Sequence, residues 1–257
     1  MIILKTSHDL KIMSEAGRIS AMALELGGKM IRPGVSTAQV NRAIERFIRS
    51  QDAVPSFLGY GGFPASACIS VNDEVIHGIP GGRILAEGDI VSIDVGAFYR
   101  GFHGDNAATF PVGNISAENQ KLLGITRECL SLALEKAVMG NRIGDISHAV
   151  QLHAERHGLG VVRDYVGHGI GSKMHESPEV PNFGRPGRGP RLQAGMTLAI
   201  EPMINLGTGD VLIQDDDWTV VTKDGAPSAH FEHTVVITPD GPPVILTALW
   251  GCQWKEL

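Results

Sequence analysis

Apolar residues near the start of the chain recur at helical spacing. Leu10, Met13, Ala16, Ile19, Ala23 and Leu26 fall on one face, and the run stops at Arg32-Pro33-Gly34. The pattern predicts a first helix with Ser7 as its N-cap. A second helix is expected after Ser36 or Thr37, with Val40, Ile44, Phe47 and Ile48 facing inward. The period then changes to that of strands in ACISV (67–71), EVIHGI (74–79) and DIVSIDV (89–95). Helical spacing returns twice between Ser116 and about His157, broken at Gly140. Short strands follow in MTLAIEPM (196–203), WTVVT (218–222) and HTVVIT (233–238), separated by glycine- and proline-rich turns.

Within the third strand the apolar run carries an aspartate, and a second one follows a turn. In SIDVGAFYRGFHGD (92–105), IDV and FHGDNAATF are expected to pair as a hairpin turning on Tyr99 and Arg100. That register sets Asp94 directly opposite Asp105. Opposed residues have Cβ atoms roughly 4.5–5.5 Å apart, and two like charges there repel.

A faint internal repeat runs through the chain. At an offset of 106, RPGVSTAQVNRAI resembles VMGNRIGDISHAV, pairing Gly34 with Gly140 and Ile44 with Val150. At an offset of 107, LAEGDIVSID resembles LQAGMTLAIE, pairing Gly88 with Gly195 and Asp94 with Glu201. An acid thus meets an acid at the end of an apolar strand in both copies.

Composition narrows the class. With 257 residues, 43% hydrophobic and 19% charged, the chain is long enough for a large core. A formal charge of −6 argues against a nucleic-acid surface, and the basic stretch GRPGRGPR (184–191) reads as a solvated loop. Cys68, Cys129 and Cys252 are too sparse for a disulfide framework, and no segment resembles a signal peptide or membrane span. A soluble cytoplasmic protein is expected.

Four acids sit in strand-like apolar surroundings: Asp94, Asp105, Glu201 and Glu232. Buried carboxylates have to be paired, protonated or metal-bound, and no Lys or Arg is placed to pair all of them. Histidines flanked by glycine accompany them, His168 and His175 in VGHGIGSKMHESP and His77 in EVIHGIP. Oxygen donors with one imidazole suit Mn, Fe, Co or Zn. Four carboxylates and two divalent ions sum to neutrality, which favours a two-ion site over a single ion.

IDVG (93–96), HGD (103–105), GHGIG (167–171), HE (175–176), IEPM (200–203) and FEHT (231–234), in this order, resemble the type I methionine aminopeptidases. The resemblance extends from about residue 5 to 247. It implies an α+β pita-bread fold, with pseudo-two-fold halves and a curved antiparallel sheet backed by helices. One catalytic domain over 1–257 is expected, its halves at roughly 5–110 and 111–247. The metal ligands implied are Asp94, Asp105, His168, Glu201 and Glu232, with Asp105 and Glu232 bridging two divalent ions. Glu201 would shuttle the proton of the attacking water, His175 would stabilise the developing oxyanion, and His77 would contact the scissile amide. Phe57, Tyr60, Phe63, Cys68, Met174 and Trp218 would line a pocket for methionine, excluding large second residues. The expected partners are nascent polypeptide N-termini, with transient ribosome association through a surface other than an N-terminal zinc finger, by a monomer that binds neither nucleic acid nor membrane.

Three positions depart from the common pattern: Gly61 replaces a frequent histidine, His230 a frequent glutamine, and Asn106 a small hydroxyl residue. Asp215-Asp216-Asp217 reads as a solvated turn. The competing readings are an X-Pro aminopeptidase or dipeptidase of the same fold, and a metal-free peptide-binding module. The early position of Asp94 and the short spacing from Glu201 to Glu232 disfavour the first. The intact ligand set disfavours the second.

Overall fold

Thr6, rather than Ser7, starts the first helix in the computed structural model, which describes residues 1–248. Its hydroxyl accepts the Asp9 N–H at 3.2 Å, while Asp9 accepts the Thr6 N–H at 2.9 Å. This reciprocal box needs an acceptor three residues on, which Ser7 would not find at Leu10. Helix α1 spans Ser7–Met30, and α2 spans Thr37–Ser50 behind the same kind of box from Ser36 and Gln39. The C-terminal GCQWKEL, which offers no functional reading, lies outside the described residues with Cys252.

Both helices bury their apolar face on an antiparallel sheet. Its strand Ile90–Tyr99 is bordered by Val54–Pro55 and Cys68–Val71 and also pairs with Phe102–Pro111. Ile19, Val40, Ile44, Val91, Ile93 and Val95 form the centre of that core. The helix α1 backbone comes so close that a Cβ on Gly104 would lie 2.6 Å from the Gly17 Cα. Glycine at this crossing is a steric requirement.

The second half repeats the plan. Helices α3 (Ala117–Lys136) and α4 (Ile143–Arg156) cover a sheet ordered Val244–Ile245, His233–Val236, Thr197–Ile200, Gly167–Gly169, Glu176–Val180. Hydrogen bonds confirm the repeat offsets. Gly34 N–H to Leu85 O (2.9 Å) and Leu85 N–H to Val35 O (2.9 Å) recur as Gly140 to Leu192 (3.1 Å) and Leu192 to Asn141 (2.7 Å). Gly88 N–H to Val112 O recurs as Gly195 N–H to Ile237 O, each at 2.9 Å. The helices α2 and α4 are each 14 residues long and begin 106 residues apart.

The halves meet where strand Phe102–Pro111 lies beside residues 230–234. Thr234 Oγ1 accepts the Asp105 N–H at 3.0 Å and donates to the Asp105 carbonyl at 2.7 Å. Glu232 N–H donates to Ala107 O at 2.9 Å, and Thr109 Oγ1 makes two bonds with the His230 backbone at 2.9 and 3.0 Å. Two acids that matter below, Asp105 and Glu232, therefore sit on the seam itself.

The hairpin register differs from the expected one. Its turn is Arg100-Gly101, with φ of +46° and +94°, so Tyr99 pairs with Phe102 and Gly96 with Asp105. Two consecutive left-handed residues match the twist of a two-residue hairpin, which glycine at the second position favours. Asp94 pairs with Ala107, so Asp94 and Asp105 are diagonal neighbours on one face instead of opposed. Among the described residues no helix is long and apolar enough to cross a membrane.

Candidate active site

Strand alternation aims Asp94 and Asp105 at one side of the first sheet, while His168 projects from Gly167–Gly169 in the second. Glu201 and Glu232 stand just beyond the strands Thr197–Ile200 and Ser228–His230, where the backbone leaves the ladder. Ligand atoms of Asp105, His168 and Glu232 all lie within 4.8 Å of one another, and all three residues are buried. His168 Nε2 is 3.9 Å from Asp105 Oδ2 and 3.6 Å from Glu201 Oε1.

The proton positions follow from the partners. His168 Nδ1 lies 2.8 Å from the Gly169 carbonyl, which can only accept, so Nδ1 carries the hydrogen. Burial pushes this imidazole down to about 3, keeping it neutral. Its Nε2 lone pair then faces carboxylate oxygens, an arrangement that is repulsive unless an electrophile sits between.

The carboxylates tell the same story. Burial pushes Asp94 up to about 7 and Glu201 up to about 8, and it drives Asp105 and Glu232 well above the carboxylate range. Asp94 Oδ1, Asp105 Oδ1 and Glu232 Oε1 are sealed from water without a hydrogen-bond partner. Orphaned buried oxygens of this kind are costly, and several in one place beside an imidazole lone pair fit a divalent cation. The thiol of Cys68 does not join them: burial and the Asp94 charge raise it well above its ordinary value, so it stays protonated.

Above this floor opens a cavity of about 190 Å³. Every residue expected from the sequence to bind metal or substrate or to act in catalysis lines it: Phe57, Tyr60, Phe63, Cys68, His77, Met174, His175 and Trp218 with Asp94, Asp105, His168, Glu201 and Glu232. Phe63 and Trp218 meet edge to face at 5.1 Å. His77 packs against Tyr165 and Trp218, at 5.7 and 6.4 Å between ring centroids, and burial pushes it down to about 4. Its φ of +59° is uncommon outside glycine and marks a strained position. His175 stands at the rim with Nδ1 2.7 Å from the Tyr60 hydroxyl and its ring 4.2 Å from that of His168.

Sequence reasoning missed Ile76, Tyr165 and Val166, which also line the cavity. Their signal was adjacency: Ile76 precedes His77, and Tyr165-Val166 precedes the GHG of His168. The departures are placed too. Asn106 points away from the site and accepts the Ser20 hydroxyl at 2.6 Å, as strand alternation after Asp105 demands. His230 is buried, with Nε2 3.5 Å from Glu201 Oε2. Gly61, at φ +57°, lies against Trp218, whose indole a Cβ there would meet at 3.3 Å. The acidic turn is more than solvated: Asp216 accepts the N–H groups of Trp218 and Thr219 at 2.9 and 2.7 Å and so fixes the indole wall.

Residues 11–239 match the model of metallopeptidase family M24. The methionine aminopeptidase of Clostridium acetobutylicum is 55% identical over 246 residues, covering 95% of this chain and 98% of that protein. The crystal structure of methionine aminopeptidase from Thermotoga maritima superposes with a TM-score of 0.94 at 45% identity, over 96% of this chain and 99% of its own. Prolidase from Pyrococcus furiosus shares the pita-bread fold at a TM-score of 0.77 and 23% identity, with 65% of its chain covered.

Proposed function

The chain belongs to metallopeptidase family M24, and from that premise we propose how its cavity releases the first residue of a peptide. It is a hydrolase that removes N-terminal methionine and uses divalent metal. The observation that carries the mechanism is the buried convergence of Asp105, His168 and Glu232 beneath an aromatic and thioether-lined pocket.

Asp94, Asp105, His168, Glu201 and Glu232 would hold two divalent ions. Their oxygen and imidazole donors suit Co, Mn, Fe or Zn. Such ions supply Lewis acidity and bring the ionisation of water close to neutral pH. The chain's own groups do the rest. Glu201 is nearly sealed from solvent and takes the proton of the attacking water, then returns it to the departing amine. His175 uses the Nε2–H left free when Tyr60 donates to Nδ1, and directs it at the oxygen that gains charge. His77, neutral and held by aromatic rings, contacts the scissile amide.

Phe57, Phe63, Met174 and Trp218 enclose a flexible apolar side chain, and Cys68 adds a polarizable surface. The same large groups leave little room beside the second residue, so small ones are favoured. Stripped protein reconstituted across a metal series and offered Met-Ala-Ser and Ala-Pro peptides tests the reading. Preferential hydrolysis of Met-Ala-Ser is expected; preferential hydrolysis of the X-Pro peptide would overturn it.

A further inference from the structure

The carboxylate of Glu176, the acid of the HE pair, is left unused by the chemistry above. Its side chain is turned from the cavity, and Oε2 lies 2.6 Å from Lys5 Nζ, with the two side chains only 5% and 4% exposed. Oε1 accepts the Lys173 N–H at 3.2 Å and the Ser172 hydroxyl at 3.5 Å. Lys5 is anchored in turn: its N–H donates to Gly195 O at 2.8 Å and its ammonium to Ile3 O at 3.2 Å. The space between is full, since a Cβ on Gly171 would overlap the Lys5 stem and come within 2.6 Å of Glu176 Oε1. From the other side, His103 N–H donates to Gly171 O at 2.9 Å.

One carboxylate thus closes the loop Gly171–Glu176 on itself and ties it to the strand entry at Gly195. That loop carries His175, an exposed residue hydrogen-bonded to the Tyr60 hydroxyl, with Tyr60 itself 45% exposed. Its ring rests against those of His168 and Tyr60 at 4.2 and 5.2 Å between centroids, while its Cα is placed by the loop backbone behind it. Buried ion pairs are poor stabilisers, because desolvating both charges offsets most of their attraction. A charge pair retained at this spot therefore asks for a reason other than stability.

We propose that Lys5 and Glu176 form a positioning pair for His175, holding its backbone where the imidazole meets the developing oxyanion. The inference rests on the role given above to His175. Misplacement of a reacting group by about 1 Å costs on the order of 100-fold in rate, and Glu176→Ala should approach that loss in kcat. The affinity for Mn in titration calorimetry should stay within about twofold, because no proposed ligand lies on the loop, while KM for Met-Ala-Ser should rise only severalfold, since Met174 shares the loop and the rest of the pocket wall does not. Glu176→Gln keeps an acceptor for the Lys173 N–H but turns its amide NH2 toward the Lys5 ammonium, and should recover only part of the rate.

The deciding measurement is a double-mutant cycle. In a His175→Ala background, Glu176→Ala should cost less than about threefold further, since the group it positions is gone. An undiminished loss in that background, or weakened Mn binding by Glu176→Ala, would overturn the positioning role. Full activity of His175→Ala alone would instead overturn the role of His175, so the two failures are distinct. Lys5→Met, which keeps the aliphatic stem, repeats the cycle if Glu176→Ala does not fold.

Discussion

Stripping the metal should make the stability of this protein fall as pH rises through neutrality. Burial lifts Glu201 from 4.5 to about 8 and Asp94 from 3.8 to about 7, so the metal-free fold binds protons that the unfolded chain has released. A folded pKa raised in this way contributes stability that is lost as pH climbs from the unfolded value to the folded one. Buried histidines act in the opposite sense. His77 and His168 are pushed down to about 4 and about 3, and they cost stability only as pH falls below about 6.5. Between pH 6.5 and 8.0 the carboxylates therefore act nearly alone. Each pH unit is worth about 1.4 kcal/mol per group, so Glu201 alone removes about 2 kcal/mol over that interval. For a chain of this size that is a fall in Tm of about 4–8 °C. The assay is circular dichroism melting of chelator-stripped and Mn-loaded protein at pH 6.5, 7.0, 7.5 and 8.0. The loaded form should stay level or rise, because the ions bind the ionised carboxylates and bind them better at higher pH. A stripped protein whose Tm is flat or rises over this range would refute the account of the acidic cluster.

Further outcomes follow from single substitutions. His168→Ala and Glu201→Ala should each abolish peptidase activity in the presence of added Mn while leaving the far-ultraviolet dichroism unchanged; full activity in either would remove that residue from the proposed machinery. Thr234→Val strands the buried Asp105 N–H and C=O, each now bonded to the lost hydroxyl, and should cost about 2–4 kcal/mol in urea unfolding together with weaker Mn binding. Gly104→Ala forces α1 off the sheet at Gly17 and should cost at least about 1–3 kcal/mol, read in the same melts. Trp218→Ala opens the methionine wall and should raise KM for Met-Ala-Ser about tenfold with a smaller change in kcat.

Much of the site was legible because its chemistry is local in sequence. Asp94, Glu201 and His168 each interrupt a short apolar or glycine-rich strand, and a charge in such a run has few explanations. The first three helix starts were legible within a residue for the same reason: a cap and its partner are three positions apart, and Asp9 decides between Thr6 and Ser7. The repeat was faint in residue identity yet firm in hydrogen bonding, because matching turns need matching backbone geometry and only a few shared side chains.

What the linear order could not decide is how the pieces meet. The register of the aspartate hairpin depended on a left-handed pair at Arg100-Gly101, and a shift of one position along the chain turned opposed acids into diagonal ones. Asn106 and Asp105 are neighbours in sequence, yet one serves helix α1 and the other the site, since strand side chains alternate. Tyr165 and Ile76 join one cavity across 89 positions of sequence, through contact between halves that no local pattern encodes. The residue types alone set the charge, the donors and the strand and helix periods. Packing the two sheets at the Thr234 seam brought the donors within reach of one ion, because only the tertiary fold could enclose like charges in so little water.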